Sequence, residues 1–271
     1  MAIITITRGQ HSGGEEVAQA IADKLGARCI SLEVLREAAR KYGVSEAKVE
    51  GTLEDSPTFW ERMTENRRKY VTYIQATLAE WAKDNNLVYH GNAGQELLRE
   101  VPHVLKVRLR YPIDTRIQTI MQKFKYKQEQ AARFVAQIDD DRTKRMQYLY
   151  NVDWRDPRRY DVTFNIDRLT SQHVVDIILG LVTQPEFSLT EANVGAFNDF
   201  LIKTRVFALL ATSVVGRFSG ITVTIHDSVV KLEGILASNV DFVEEMVEQM
   251  RRLEGVKEVD NQIVWGQQWN I

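Results

Sequence analysis

Residues 2–26 restrict this chain to a narrow set of folds. Ile3-Ile4-Thr5-Ile6-Thr7 is a short β-branched run of the kind used by a strand covered on both faces. A turn follows, Arg8-Gly9-Gln10-His11-Ser12-Gly13-Gly14. Val17, Ala20, Ile21, Ala22 and Leu25 then recur at helical spacing, and Gly26 stands where a helix C-cap belongs. A strand running through glycines into a helix opens a parallel sheet. It also aims free backbone N–H groups and the positive end of a helix dipole at one point, which is how a phosphate is held.

The same alternation continues to residue 183. Cys29-Ile30, 87–90, 104–109 and 162–166 read as strands. Helical spacing covers 32–42, 45–54, 60–84, 114–124, 128–150 and 171–182. Strands alternating with helices predict an α/β domain, with a parallel sheet covered on both faces, over residues 1–183. Residues 184–198 carry no positive charge, lose the periodicity and contain Pro185 and Gly195, which predicts a linker. Beyond it a helix (199–212), two alternating strands (221–226 and 229–233), a helix (240–253) and a strand (256–265) predict a small α+β domain of order αββαβ over 199–271.

Composition excludes several classes. With 44% apolar and 27% charged residues the chain is an ordinary globular sequence, and no apolar run reaches membrane-spanning length. One cysteine, Cys29, forms no internal disulfide, and the five histidines stand at no metal-ligand spacing, so no resident metal site is expected. The N-terminus reads as no export signal, and a reducing, cytoplasmic setting is expected. Charge is uneven: residues 106–168 hold 15 basic and 9 acidic side chains, although the net charge is −2. A local excess of this size suits a small anion; with no basic tail, nucleic acid is not expected as a partner.

In the phosphate loop G-x-x-x-x-G-K-[ST], the lysine reaches the terminal phosphates and the hydroxyl holds Mg²⁺. Gly9 and Gly14 have that separation, but Glu15 and Glu16 follow in place of the lysine and the hydroxyl. Two carboxylates suit an empty helix N-terminus and repel a triphosphate. From the residues alone, a bare acid-capped turn and a phosphate cradle both stay open.

TITRGQHSGGEEVAQAIADKLG nevertheless resembles the opening of the cytidylate kinase-like family, typically I-S-R-x-x-G-S-G-G-R-x-I-A-x-x-L-A-x-x-L-G. Arg8, Ser12, Gly13, Gly14, Ala18 and Leu25-Gly26 match. The resemblance continues through LVYHGNAGQELLREVPHVLKVRLRYPIDTRI and IDDDRTKRMQYLYNVDWRDPRRYDVTFNIDRLT, like that family's "GRG" loop, "AP-x-x-x-R-I" and "D-x-x-R … Y-D-L-x-I-N-T" segments. It implies a P-loop kinase-like domain with a helical lid, using ATP and Mg²⁺ if active and otherwise holding an unidentified nucleotide or phosphate. It assigns Arg8, Gly9, Ser12, Gly13 and Gly14 to the cofactor and Gly91, Asn92 and Arg108 to the substrate. Arg116, Arg142 and Arg145 become the phosphoryl clamp, because phosphoryl transfer is mostly positioning and charge neutralisation. For Arg142 and Arg145, pairing with Asp139, Asp140 and Asp141 on a solvated helix is an equal alternative; Arg158 and Arg159 read as surface residues.

The chain departs from the pattern at chemical positions. It has Glu15 for Arg, His11 for Gly, Asn92 for Arg, and Ser31 near a common Asp. The implied function is therefore a nucleotide- or anion-sensing regulatory module, with a CMP-type nucleoside monophosphate kinase as the alternative. ITVTIHDSVVKLEG and GVKEVDNQIVW resemble the BON domain, a small bacterial αββαβ module. That implies a protein partner or self-association through 199–271. Seven basic against ten acidic residues over 198–271 argue against an anionic membrane. Trp265 and Trp269 are candidates for a partner-facing patch.

Overall fold

The computed structural model describes residues 2–9, 13–54, 66–84, 86–212, 221–236 and 240–265. Ser12 and His11 of the glycine turn, residues 60–65 of the expected long helix, Trp269 and the Trp265 side chain lie outside the described residues. The chain forms two compact units, residues 1–189 and 190–271.

The first unit is a five-stranded sheet with its strands in the order β2-β3-β1-β4-β5, every pair parallel. The strands are β1 (Ile3–Arg8), β2 (Arg28–Ile30), β3 (Leu87–His90), β4 (Val104–Arg110) and β5 (Val162–Asn165). Helix α1 (Gly14–Leu25) joins β1 to β2. Helices α2 (Glu33–Tyr42), α3 (Glu46–Glu54) and α4 (Asn66–Ala82) precede β3. A one-turn helix, α5 (Gly94–Leu97), follows β3; sequence periodicity cannot detect an element that short. The hairpin of α6 (Ile113–Phe124) and α7 (Gln128–Tyr150) is the helical lid, and α8 (Ser171–Leu181) closes the unit.

The β-branched run lies at the centre of the sheet because both its faces are covered. Ile3, Ile4, Thr5 and Ile6 are all buried. Ile4 and Ile6 pack with Val107, Leu109 and Phe164 beneath Val17, Ile21, Val174 and Ile178 of α1 and α8. Burial of each such isoleucine contributes about 2–3 kcal/mol as an upper estimate. On the opposite face Gly94 lets α5 approach: a Cβ there would stand 2.7 Å from Tyr89 Cδ1 and 3.1 Å from Thr5 Cβ. The connection after β1 leads toward β2, while the one after β3 leads back past β1 to β4. The carboxyl ends of these neighbouring strands are thus the switch point where such sheets place ligands.

In the second unit the helix starts earlier than expected. Helix α9 is Glu191–Thr212, so residues 191–198, expected within the linker, form its first two turns. Thr190 Oγ1 caps it by accepting from the Asn193 N–H at 3.2 Å. The broken periodicity of this stretch conceals a helix whose Phe197, Phe200 and Leu201 are buried. Strands β6 (Ile221–His226), β7 (Val229–Leu236) and β8 (Glu258–Trp265) form a sheet in that order, with β6 antiparallel and β8 parallel to β7. Helix α10 (Val240–Arg251) covers it with α9 through Ile202, Val206, Val243, Met246 and Met250. The β6–β7 turn places Asp227 at φ 50° and Ser228 at φ 68° without a glycine. The Asp199 carboxylate accepts from both turn N–H groups, at 3.0 and 2.7 Å, and holds it in this conformation. Among the described residues no helix is long and apolar enough to cross a membrane.

Candidate functional site

The glycine turn packs against two arginines. A Cβ on Gly14 would meet Arg8 Cδ at 2.4 Å, and one on Gly9 would meet Arg116 Nε at 3.0 Å. Gly13 has φ +76°, the left-handed region that only glycine enters cheaply. These glycines let two cationic side chains close over the start of α1. Glu15 in its first turn is exposed (73% of its side chain), 3.9 Å from Arg8 Nη2. The Glu16 carboxylate folds back over the turn, with Oε2 3.4 Å from the point where a Gly13 Cβ would lie. Arg8 Nη2 lies 3.3 Å from His90 Nδ1 at the end of β3. Burial first, and the Arg8 charge second, hold the His90 imidazole below its ordinary pKa, so Nδ1 accepts from the guanidinium.

Arg142 reaches in from the lid helix and is only 6% exposed. Its Nη1 donates to the Arg8 carbonyl at 2.7 Å, and its Nη2 donates to Asn92 Oδ1. Its guanidinium carbon stands 4.8 Å from the centroid of the Trp154 ring. Arg108, on β4, stands at the same distance from that ring and donates to the Arg155 carbonyl at 2.7 Å. Burial holds its guanidinium below its ordinary pKa. Arg145 is buried one turn beyond Arg142. Arg142 and Arg145 are thus buried rather than on a solvated helix face. Asp139 takes Arg116 in a bidentate pair at 2.8 Å for both bonds, and Asp140 takes Lys144 at 2.6 Å. Arg142 turns inward because the sheet edge supplies its acceptors. Arg116 does border the glycine turn, but its charge is cancelled by Asp139.

Gly91, Asn92 and α5 complete the edge. Asn92 is buried, and its carbonyl accepts from the Tyr89 hydroxyl at 3.0 Å. Thr7 Oγ1 donates to Gln95 Oε1 at 2.7 Å. Glu96 is buried and pairs with Arg159 Nη1 at 3.3 Å, so Arg159 is no simple surface residue. Burial raises the Glu96 carboxyl above the usual carboxylate range, and Arg159 opposes that rise. Arg158 is exposed and pairs with Asp156, as a surface residue does. Thr5 Oγ1 and Arg108 Nε are buried with no hydrogen-bond partner among the described residues. Cys29 is half-buried, and its thiol is pushed up to about 11 by burial, which makes it a poor nucleophile at neutral pH.

Sequence reasoning missed Trp154, Glu96 and Gln95, and it placed Asp139 with Arg142 or Arg145 where the structure pairs it with Arg116. The one available signal was Trp154, an aromatic set among Arg155, Arg158 and Arg159. The arrangement brings Arg8, Arg108, Arg116 and Arg142 from four chain segments to one sheet edge above a helix N-terminus. Chemically it can hold an anion. No lysine stands at the P-loop position, and Glu16 replaces the hydroxyl that would hold Mg²⁺. Among the described residues no group of three or more His, Cys, Asp or Glu could hold a metal ion. The turn therefore does not supply the lysine and hydroxyl that hold a metal–triphosphate complex in a P-loop.

Comparison with known proteins gives two family matches. The model of the cytidylate kinase-like family matches residues 3–168, and that of the BON domain matches residues 198–267. A cytidylate kinase from Methanosarcina barkeri is 24% identical over 178 residues, which cover 65% of this chain and 93% of that protein. An uncharacterized protein from Eubacterium ventriosum has a solved structure that matches with a TM-score of 0.53. It is 20% identical, over 67% of this chain and 98% of its own. A shikimate kinase from Acinetobacter baumannii, solved with shikimate, matches with a TM-score of 0.40 at 17% identity, over 69% and 96% of the two chains.

Proposed function

This chain belongs to the cytidylate kinase-like family and carries a BON domain after it, and from that premise we propose that residues 1–183 bind a nucleotide or a similar phosphate-bearing anion and report it through residues 199–271. The observation that carries this reading is the pairing of opposites at one site. Buried arginines converge on the glycine turn, yet the first turn of α1 presents Glu15 and Glu16 where transfer chemistry needs a lysine and a hydroxyl. Guanidinium groups and helix N–H groups hold an anion. Without the lysine and the hydroxyl, the turn itself adds no cation or metal ligand for a transferring phosphoryl group, and the arginines alone are left to neutralise its charge. Arg8, Gly9, Ser12, Gly13 and Gly14 are proposed to face the phosphate, with Arg142, Arg145 and Arg108 behind them and Gly91 and Asn92 toward the remainder of the ligand. The second unit offers a surface for a protein partner or for self-association.

A second reading has its own support. Arg108 and Arg142 are buried and lie against one indole, a fixed geometry suited to a phosphoryl clamp. That favours a CMP-type kinase using ATP and Mg²⁺. Thermal melting of the full chain with CMP, ATP or inorganic pyrophosphate tests the binding claim. A ligand at 100 times its Kd stabilises by about 2.7 kcal/mol, several degrees of melting temperature. No shift with any of the three rejects the proposed site.

A further inference from the structure

We infer that Trp154 is a positioning residue of the anion site, its indole fixing where Arg108 and Arg142 stand relative to each other. The inference rests on the anion-binding reading and names the part that sets the spacing of two of its cations. Trp154 lies in the loop between α7 and β5 and is only 6% exposed. The guanidinium carbons of Arg108, from β4, and Arg142, from the lid helix, each stand 4.8 Å from its ring centroid. Two cations that arrive on separate elements are thus held within twice that distance of each other.

The ring is itself fixed. Its Nε1 donates at 3.1 Å to Oγ1 of Thr143, the residue next to Arg142 on the lid helix, and the Trp154 carbonyl accepts from the Tyr160 hydroxyl at 2.8 Å. The adjoining Arg155 carbonyl accepts from Arg108 Nη1 at 2.7 Å. Residues 154 and 155 therefore meet the lid helix, the sheet and the chain entering β5. An indole suits this place chemically. The negative face of its ring attracts a guanidinium without adding a charge, tryptophan presents the strongest such face, and burial strengthens the attraction. A carboxylate would also hold arginine, but it would bring a negative charge to a site that binds anions. An aliphatic side chain would fill space without attracting either guanidinium.

Wild type, Trp154→Phe and Trp154→Leu are titrated as full chains with CMP and with inorganic pyrophosphate, and Trp154→Leu is repeated in a chain that carries both Arg108→Ala and Arg142→Ala. Trp154→Leu is expected to weaken binding about tenfold, and Trp154→Phe, which keeps a ring face, by no more than about threefold. With both arginines already alanine, Trp154→Leu should change affinity by less than about twofold. Equal losses for the phenylalanine and leucine variants overturn the inference, because side-chain volume rather than the ring face would then matter. An undiminished loss in the double-alanine chain also overturns it, because Trp154 would then touch the ligand or merely support the fold. Urea unfolding of the same chains without added anion is the second arm. Trp154→Leu should lower stability less in the double-alanine chain than in wild type, and additive losses contradict the inference. If wild type binds neither probe, the functional reading fails, and this urea cycle alone decides whether the indole and the two arginines act as one unit.

Discussion

Replacing Glu15 and Glu16 together by glutamine should strengthen anion binding while weakening the fold. The two effects have separate origins. An anion on the free N–H groups of α1 lies within about one helical turn, ~6 Å, of either carboxylate. At that distance two unit charges in water interact by about 0.7 kcal/mol, and a phosphate dianion doubles this. Screening at physiological salt, with a Debye length of about 8 Å, halves it again. Glu15 is exposed and the Glu16 carboxylate lies over the turn, so the water value is the appropriate one for the former and a lower limit for the latter. Each carboxylate therefore opposes binding by about 0.7 kcal/mol, and removing both tightens the Kd about tenfold. The same carboxylates complement the helix dipole, and their loss costs about 0.3–1 kcal/mol each in stability. Calorimetric titration with pyrophosphate at two salt concentrations reads the first effect, and urea unfolding reads the second. Tighter binding with a lower urea midpoint, the gain shrinking at high salt, is the expected pattern. A lower midpoint with unchanged or weaker affinity refutes the electrostatic account of the turn.

Three further outcomes follow from particular contacts. His90 and His103 are both held below the ordinary imidazole pKa by burial, so the unfolded chain binds more protons than the native one in the window below about pH 6.5. Stability is complete above that pH and is lost as pH falls through it; His90→Gln should flatten the urea midpoint between pH 7 and pH 5, and an unchanged slope contradicts this. Gly94→Ala should destabilise the first unit by about 1–3 kcal/mol, because its Cβ meets the buried Tyr89 ring and Thr5, and a wild-type midpoint would show that α5 can move away. Ser228→Gly should stabilise the second unit by about 0.5–1 kcal/mol by relieving a left-handed serine, and no rise in its melting temperature would mean that the Asp199 cap already removes the strain.

The sheet was legible because its strands are short β-branched runs between glycines and amphipathic helices. Ile3–Thr7 shows this best, since burial on both faces leaves an unbroken run of β-branched residues. Helix α5 and the first turns of α9 were not legible. The former is too short for a period, and the latter hides its apolar face, Phe197, Phe200 and Leu201, partly inside a stretch that reads as a polar linker. At the site, resemblance named Arg116, Arg142 and Arg108, but their partners are non-local. That Asp139 would take Arg116 across the lid hairpin, and leave Arg142 to Asn92 fifty residues away, follows from helix rotation and sheet order. Neither is written in a local spacing. Glu96 shows the same limit: its burial accompanies the docking of α5 against β1 and β4, an element the periodicity could not reveal.

The most direct measurement of the central claim follows ADP release and ligand binding on one preparation of the full chain, with ATP, Mg²⁺ and CMP. The account predicts saturable binding of at least one phosphate-bearing ligand with ADP release far below 1 s⁻¹, the lower end of the usual kinase range of about 1–100 s⁻¹. CMP-dependent turnover within that range would contradict it and establish the kinase reading instead.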